Sequence, residues 1–322
     1  MNAPYSPLEF ALLNDWQHDL PLVARPFAAM ASVLDASEQD VISRLQRLTQ
    51  RGAISRVGAV FAPWRVGVST LAAMAVPRER LEAVAALVSA SPAVNHNYQR
   101  EHHYNLWFVA TAASDGALAQ VLAQLAALCQ CEVLSLPLVE QFHIDLGFDL
   151  GNGAKSHRCA GRSGGEPLAD GDRPLVAALE PGLPLESRPY QALGRPLGLE
   201  EGVVRAKLQS WLASGIIKRL GVVVRHHELG YRANAMVVFD VPDDEVAQVG
   251  QRLAGESGVT LCYRRRRQLP QWHYNLYCMV HGRSREEVAP LIAGLQQLAD
   301  YPSQILFSTR RFKQCGARYF HD

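Results

Sequence analysis

The chain has 322 residues, 48% hydrophobic and 20% charged. That is enough apolar material for about two cored domains, and it excludes a disordered tail, a collagen-like fibre and a disulfide miniprotein. The formal charge of +1, from 32 Lys and Arg against 31 Asp and Glu, excludes a strongly basic nucleic-acid coat and a polyacidic chain.

The charge is unevenly placed. Residues 1–150 hold 9 basic and 14 acidic side chains, net −5, and residues 151–322 hold 23 and 17, net +6. The second part is the better seat for an anion. Of the 32 basic residues 28 are Arg, which suits bidentate binding of carboxylate or phosphate, although a GC-rich genome gives the same bias. Six cysteines, at 129, 131, 159, 262, 278 and 315, form neither a CxxC motif nor a disulfide framework, and free thiols suit a reducing cytosol. The opening MNAPYSPLEF lacks a basic and then apolar leader, and no apolar run reaches the roughly 20 residues that span a bilayer. The expectation is a cytoplasmic chain with no membrane partner.

In chain order, residues 8–60 read as helices with short breaks. Ser37 precedes acidic residues as a cap, Val41, Leu45 and Leu48 recur at helical spacing, Gly52 ends the helix, and Ile54 to Phe61 reads as a strand. This is a winged helix-turn-helix pattern. Strands are expected at 70–76, 93–100, 103–112 and 131–137, with helices at 78–90 and 115–128 between them, which is the βαββαβ order of a ferredoxin-like unit. Residues 149–173 are rich in Gly and read as a linker. After it the whole pattern recurs. Leu20-Pro21-Leu22 matches Leu183-Pro184-Leu185, and Gly52 to Gly58 matches Gly215 to Gly221, both offset by 163. Later, His103-Tyr104-Asn105-Leu106-Trp107 matches His273-Tyr274-Asn275-Leu276-Tyr277, offset by 170. The second unit has strands at 233–241, 259–266, 273–281 and 303–308, with helices at 244–255 and 285–299.

The expected fold is therefore α+β with an internal duplication, each half a winged helix followed by a ferredoxin-like unit. The halves are 1–148 (winged helix 8–62, ferredoxin-like 68–148) and 174–322 (winged helix 174–226, ferredoxin-like 231–322). They form an intramolecular pseudo-dimer, with a further homodimer left open. An antiparallel sheet that packs one face on helices must cover the other, and the second copy is the obvious partner.

The order of winged helix and βαββαβ, with Leu12 to Leu34 and Asp40 to Gly58, resembles the Lrp/AsnC family of amino-acid-responsive regulators. The string His96-Asn97-Tyr98-Gln99-Arg100-Glu101-His102-His103-Tyr104-Asn105-Leu106-Trp107-Phe108 instead resembles the Lrp-related siroheme decarboxylases, as do Tyr274-Asn275-Leu276-Tyr277 and Met279 to Arg283. That resemblance covers nearly everything outside the linker. It implies an enzyme that removes the carboxyl groups of the C12 and C18 acetates of siroheme, a carboxy-lyase on the route to heme d1 or heme. It implies no cofactor, because the iron tetrapyrrole is the substrate and its ring delocalises the electrons left by carbon dioxide.

Such a substrate needs fixed cations, aromatic surface and a proton donor. Strand alternation puts His96, Tyr98 and Arg100 on one face, and His103, Asn105 and Trp107 on one face of the next strand. In the second half His273, Asn275, Tyr277, Met279 and His281 share a face that is oddly polar for a core. The expected proton donor is His102, then His96, then Tyr98, because a His near neutrality can release a proton and an Arg cannot. His96 or His102 is the candidate ligand to the substrate's iron; no metal site is built into the chain. The expected substrate contacts are Arg100, His103, Asn105, Trp107, Arg56, Arg219, Tyr263, Arg264, Arg265, Arg266, His273, Asn275 and Lys313. Because consecutive residues of a strand alternate, at most two of Arg264 to Arg267 serve one pocket. The rival reading is a DNA-binding regulator or heme sensor, with Gln39, Ser43, Arg44, Gln46, Arg47 and Gln50 on one recognition helix. Glu38 and Asp40 oppose it, as do Glu200 and Glu201 on the second copy, so DNA is not the expected partner.

Overall fold

In the computed structural model, residues 5–144, 166–225 and 233–320 are described. Cys159, Gly230 and most of the expected linker 149–173 lie outside the described residues. The chain gathers into two compact units, and these cut across the sequence halves: one contains residues 5–66 and 166–225, the other residues 67–144 and 233–320. Like pairs with like. Each copy's winged helix finds the other, and each ferredoxin-like sheet finds the other.

The first unit holds α1 (Pro7–Asn14), α2 (Pro26–Val33), α3 (Glu38–Gln50), β1 (Ile54–Phe61) and α4 (Pro63–Val66) from the first copy. Ser37 caps α3 by accepting from the Asp40 N–H at 3.1 Å, and Val41, Ile42, Leu45 and Leu48 form its buried stripe. From the second copy come α7 (Arg173–Leu179), α8 (Pro189–Gly194), α9 (Glu201–Ser214) and β6 (Ile217–Val224). The wing strand expected in each copy pairs with its counterpart, β1 antiparallel to β6, with Gly58 opposite Gly221. Only glycine fits at Gly221, where a Cβ would lie 2.3 Å from the Gln17 carbonyl oxygen.

The second unit begins with β2 (Val68–Met74), α5 (Leu81–Ala90), β3 (Val94–Arg100), β4 (Leu106–Ala112), α6 (Asp115–Cys129) and β5 (Leu134–Ile144). It continues with β7 (Ala233–Phe239), α10 (Val246–Ala254), β8 (Val259–Arg265), β9 (Leu276–Gly282), α11 (Arg285–Ala299) and β10 (Ser303–Gln314). Both last strands run past their expected ends at 137 and 308. The reason is topological. Leu134–Pro137 of β5 pair with β2, and the rest of β5 pairs with β8 of the other copy. In the same way β10 pairs first with β7 and then with β3. The two sheets thus join edge to edge into a closed antiparallel barrel in the order β10-β3-β4-β2-β5-β8-β9-β7. Closure leaves neither sheet with a free edge.

Outside the barrel, Phe108, Leu106 and Val94 pack against Val84, Val88 and Leu118 of the first copy's helices. Cys278, Val280 and Val237 pack against Val249, Leu253 and Ile292 of the second copy's helices. A third core has Trp107, Leu136, Met236, Val238, Tyr277 and Leu306 from the opposite faces of the barrel strands, with Trp272 from the segment between β8 and β9.

In the helix-turn-helix unit the recognition helices are turned to each other's copy. Gln46 donates to the Leu185 carbonyl at 3.2 Å, Ser187 to Glu38 at 3.0 Å, and Arg205 to the Leu22 carbonyl at 3.3 Å. Arg44 donates to Ser6 and Lys207 pairs with Asp172. Arg25 pairs with Glu38, and Arg188 with Glu201 in the equivalent place. A groove-reading surface would need these groups for phosphates and bases. We expect no salt-sensitive binding to duplex DNA at ~0.15 M salt, as read by fluorescence anisotropy; sub-micromolar, salt-dependent retention of a duplex would contradict this.

Candidate functional site

The expected site residues divide by where they point. On β3 the odd position Asn97 turns to the helices and donates to the Ala85 carbonyl and Ser89. Tyr98 and Arg100 then face the barrel interior, opposite Trp107 of β4 and beside β10. The second copy repeats this, with Tyr263 opposite Tyr277 and Arg265 two residues on.

The two arginines are held reciprocally. Arg100 donates to the Leu306 carbonyl at 2.9 Å, and Arg265 donates to the Leu136 carbonyl at 3.0 Å. Leu136 and Leu306 sit where β5 and β10 leave one sheet for the other. Each guanidinium also lies near tyrosine rings, Arg100 at 5.9 Å from Tyr98, and Arg265 at 5.5 Å from Tyr263 and 5.8 Å from Tyr277. Among the described residues, neither meets a carboxylate. Burial pulls the Arg100 pKa down to about 10, against the opposing influence of Tyr98. It lowers that of Arg265 as well, and it raises the phenols of Tyr98 and Tyr263. Two desolvated cations with no carboxylate beside them among the described residues have the chemistry that an anion would satisfy.

His102 lies at the turn after β3. Its Nδ1 accepts from the Tyr104 N–H at 2.9 Å, so the neutral ring carries its proton on Nε2. Its ring is edge-on to Trp272 at 5.4 Å and stacked with Tyr104 at 5.9 Å. Burial and then His103 lower its pKa, against hydrogen bonds with Gln304 and the Tyr104 backbone. Trp272 is its match in the repeat, so half two has no imidazole there. The two matched residues touch. His96 stacks with Tyr98 at 6.2 Å, and its Nδ1 is 2.5 Å from Asn95 Oδ1. Trp107 is buried, bonds the Tyr104 carbonyl at 2.6 Å and meets Trp272 at 5.2 Å.

Several expected contacts have other work. Asn105 bonds both backbone groups of Val76, at 3.0 and 2.8 Å, and Asn275 does the same to Val241 at 3.1 and 2.9 Å. These amides close the strand ends and are occupied. Lys313 donates to the Ser89 and Ser91 carbonyls at 2.7 and 2.8 Å, capping the C-terminus of α5. Arg264 pairs with Asp243 at 3.1 Å, and Arg266 is exposed. Strand alternation therefore leaves Arg265 alone of the four facing inward, since Arg267 pairs with Asp240 and Asp243. His103 and His273 are exposed, each against its neighbouring tyrosine. Arg56 and Arg219 belong to the helix-turn-helix unit, where they donate to the Ala59 carbonyl at 2.8 Å and the Gln17 carbonyl at 3.0 Å. That geometry favours a structural role for both.

The inward face also holds residues that the sequence reading left out of the site: Asn234, His281, Trp272 and Tyr277. A polar Asn in the apolar run ANAMVVF is the signal that could have found the first. Among the described residues, no group of three His, Cys, Asp or Glu is placed to hold a metal ion, and no helix is long and apolar enough to cross a membrane.

The profile of the AsnC-like ligand binding domain matches residues 65–143 and 228–313. That of the siroheme decarboxylase NirDL-like HTH domain matches 9–54 and 172–218. The siroheme decarboxylase NirDL subunit of Paracoccus denitrificans is 45% identical over 96% of both chains. The chain belongs to the siroheme decarboxylase NirDL family. Single-copy relatives match one half, as does the NirD subunit of Pseudomonas aeruginosa, 52% identical over 43% of this chain and 93% of its own. The crystal structure of a siroheme decarboxylase NirDL in co-complex with iron-uroporphyrin III analogue aligns with a TM-score of 0.69 at 28% identity, over 98% of this chain and 94% of that one.

One consequence of this inner face is measurable without substrate. Burial, and then the Arg100 guanidinium, hold His281 at a pKa of about 4 against 6.5 for a free imidazole. Between those values the unfolded chain takes up a proton that the fold does not. The stability from burying the neutral ring is present above pH 6.5 and is lost as pH falls towards 4. The size is ~3 kcal/mol, and the lowered pKa of His102 acts in the same direction. We expect unfolding in urea at pH 4.5 to require less denaturant than at pH 7, and His281→Gln to shrink that difference.

Proposed function

We propose that this chain decarboxylates siroheme at two of its acetate arms, those on C12 and C18, giving 12,18-didecarboxysiroheme without a redox cofactor. Family membership makes it a siroheme decarboxylase, a carboxy-lyase. The observation that carries the finer reading is the pair of inward arginines, Arg100 and Arg265, desolvated and free of any carboxylate among the described residues. A tetrapyrrole bearing acetates and propionates supplies the missing anions. The iron-uroporphyrin III analogue bound by the related NirDL structure is a macrocycle of the same charge class.

The chemistry asks for two acts at each arm. The C–C bond to the carboxylate breaks, carbon dioxide leaves, and the electron pair stays on the methylene, stabilised by the conjugated ring. A proton then reaches that carbon and makes a methyl group. Arg100 and Arg265 orient carboxylates through charge-assisted bonds. Tyr98 and Tyr263, half-buried beside the arginines, offer aromatic faces to the macrocycle, while Trp107 and Trp272 lie buried in the core. His102 remains our first choice of proton donor and His96 the second, with Tyr98 behind them. The Nε2–H of His102, held by the Gln304 side chain, is the proton that this donor would release. A substrate carboxylate beside the ring raises its pKa back toward neutrality and favours the imidazolium that can give up a proton.

Anaerobic incubation with ferrous siroheme, followed by mass spectrometry, is expected to show loss of two carbon dioxide units. Arg265→Ala should weaken binding ~10- to 100-fold, since each bond to a charged group is worth roughly 1.5–3 kcal/mol. A fully esterified macrocycle should respond less. His102→Gln should keep binding and lose turnover by ~10²–10⁴-fold. Intact siroheme after incubation with the wild-type chain would refute the reading, and near-normal single turnovers in both His102→Gln and His96→Ala would remove the cluster from the acid's role.

A further inference from the structure

The duplication preserves the arginines and their tyrosines but not what stands behind them. Behind Arg100 runs a chain of polar groups. Arg100 donates to Asn234 Oδ1 at 3.4 Å. The Asn234 amide lies 3.1 Å from His281 Nε2, and His281 Nδ1 lies 2.8 Å from Thr260 Oγ1. Thr260 donates in turn to the Met279 carbonyl at 3.0 Å. Only one assignment satisfies every link: the amide nitrogen of Asn234 donates to Nε2, and Nδ1–H donates to Thr260. A ring protonated on both nitrogens would repel the amide N–H groups. Turning the amide over would then face them at the guanidinium. The relay therefore needs a neutral imidazole, which burial beside Arg100 supplies.

The other copy lacks this support. Strand register matches Asn234 to Ser69, His281 to Thr111 and Thr260 to Asn95. Thr111 donates to the Arg318 carbonyl at 2.6 Å, and the Asn95 amide reaches Thr111 at 3.5 Å. Arg265 has its carbonyl contact and its tyrosines, but no amide fixes the angle of its guanidinium among the described residues. A guanidinium held in advance loses less freedom when a carboxylate docks on it.

We propose that Asn234 and His281 are positioning residues for Arg100, and that their relay makes Arg100 the tighter of the two carboxylate positions in the barrel. This rests on the reading that Arg100 binds a substrate carboxylate. It adds a division of labour between two otherwise matched sites, set by residues that need not touch the substrate.

The test uses the full chain, iron-uroporphyrin III titrated by absorbance, and steady-state turnover of siroheme. His281→Ala and Asn234→Ala should each weaken iron-uroporphyrin III binding by about 10-fold, the scale of one hydrogen bond to a charged group. KM should rise while kcat holds, as expected when binding common to ground and transition states is lost. His281→Gln, which keeps an acceptor and a donor, should restore most of the affinity, a rescue that general disruption of the fold would not give. The double variant Asn234→Ala/His281→Ala should lose no more than Asn234→Ala, because the effect passes through Asn234. In an Arg100→Gln background His281→Ala should cost nothing further, whereas in Arg265→Gln it should cost its full amount. Additive losses in the Asn234/His281 pair, or unchanged affinity in His281→Ala, would overturn the inference even if Arg100→Gln fails to fold. Neither result touches the proposed function, which fails only if the wild-type chain leaves siroheme intact.

Discussion

The two crossing strands, β5 and β10, are the constraint on which the rest of this fold depends. A four-stranded sheet with helices on one face has an uncovered face and two open edges, both costly in water. By running on past its own sheet, each last strand supplies an edge partner to the other copy and turns two open sheets into one barrel. At the crossovers the carbonyls of Leu136 and Leu306 each accept from an arginine. A buried carbonyl without a donor is unfavourable. Arg265 and Arg100 supply those donors, each from the opposite copy.

That arrangement explains how cations come to sit inside a barrel. A guanidinium has five donors, and one backbone bond leaves others available. The arginine that satisfies a strand crossover therefore also presents charge to the interior. Under the proposed function, structural need and ligand recognition share one side chain, so a change at Arg100 or Arg265 is expected to act on stability and on binding together. Asn105, Asn275 and Lys313 differ: their polar groups are taken up by strand and helix ends.

Duplication sets the geometry, and divergence gives it direction. The matched positions His102 and Trp272 meet at 5.4 Å, so at this point residues related by the internal symmetry are neighbours and a difference between the copies brings an imidazole against an indole. An imidazole matched to an indole, and His281 matched to Thr111, give the two copies different polar groups at equivalent positions. In the helix-turn-helix unit the same doubling has the opposite effect. There it ties the copies together: Gln46, Glu38 and Arg205 of the recognition helices bond the other copy's loops.

Much of this was legible in the sequence. The offsets of 163 and 170 gave the duplication. Periodicity gave α3 its stripe of Val41, Leu45 and Leu48, and alternation placed Tyr98 with Arg100 and separated Arg265 from Arg264 and Arg266. The string from His96 to Phe108 pointed to the family. These are local signals, carried by spacing along one strand or helix. Tertiary structure alone decided which polar groups are already satisfied, because a hydrogen-bond partner can be far away in the chain. Asn275 bonds Val241, Lys313 bonds Ser89, and Arg100 bonds Leu306 and Asn234, and no spacing rule announces such pairs. Nor does a pattern of two-residue alternation say where a strand stops: β5 and β10 continue because an edge more than 110 residues away in sequence needs a partner. The sequence determined the elements and their inward residues; long-range pairing determined which of those residues remain for a ligand.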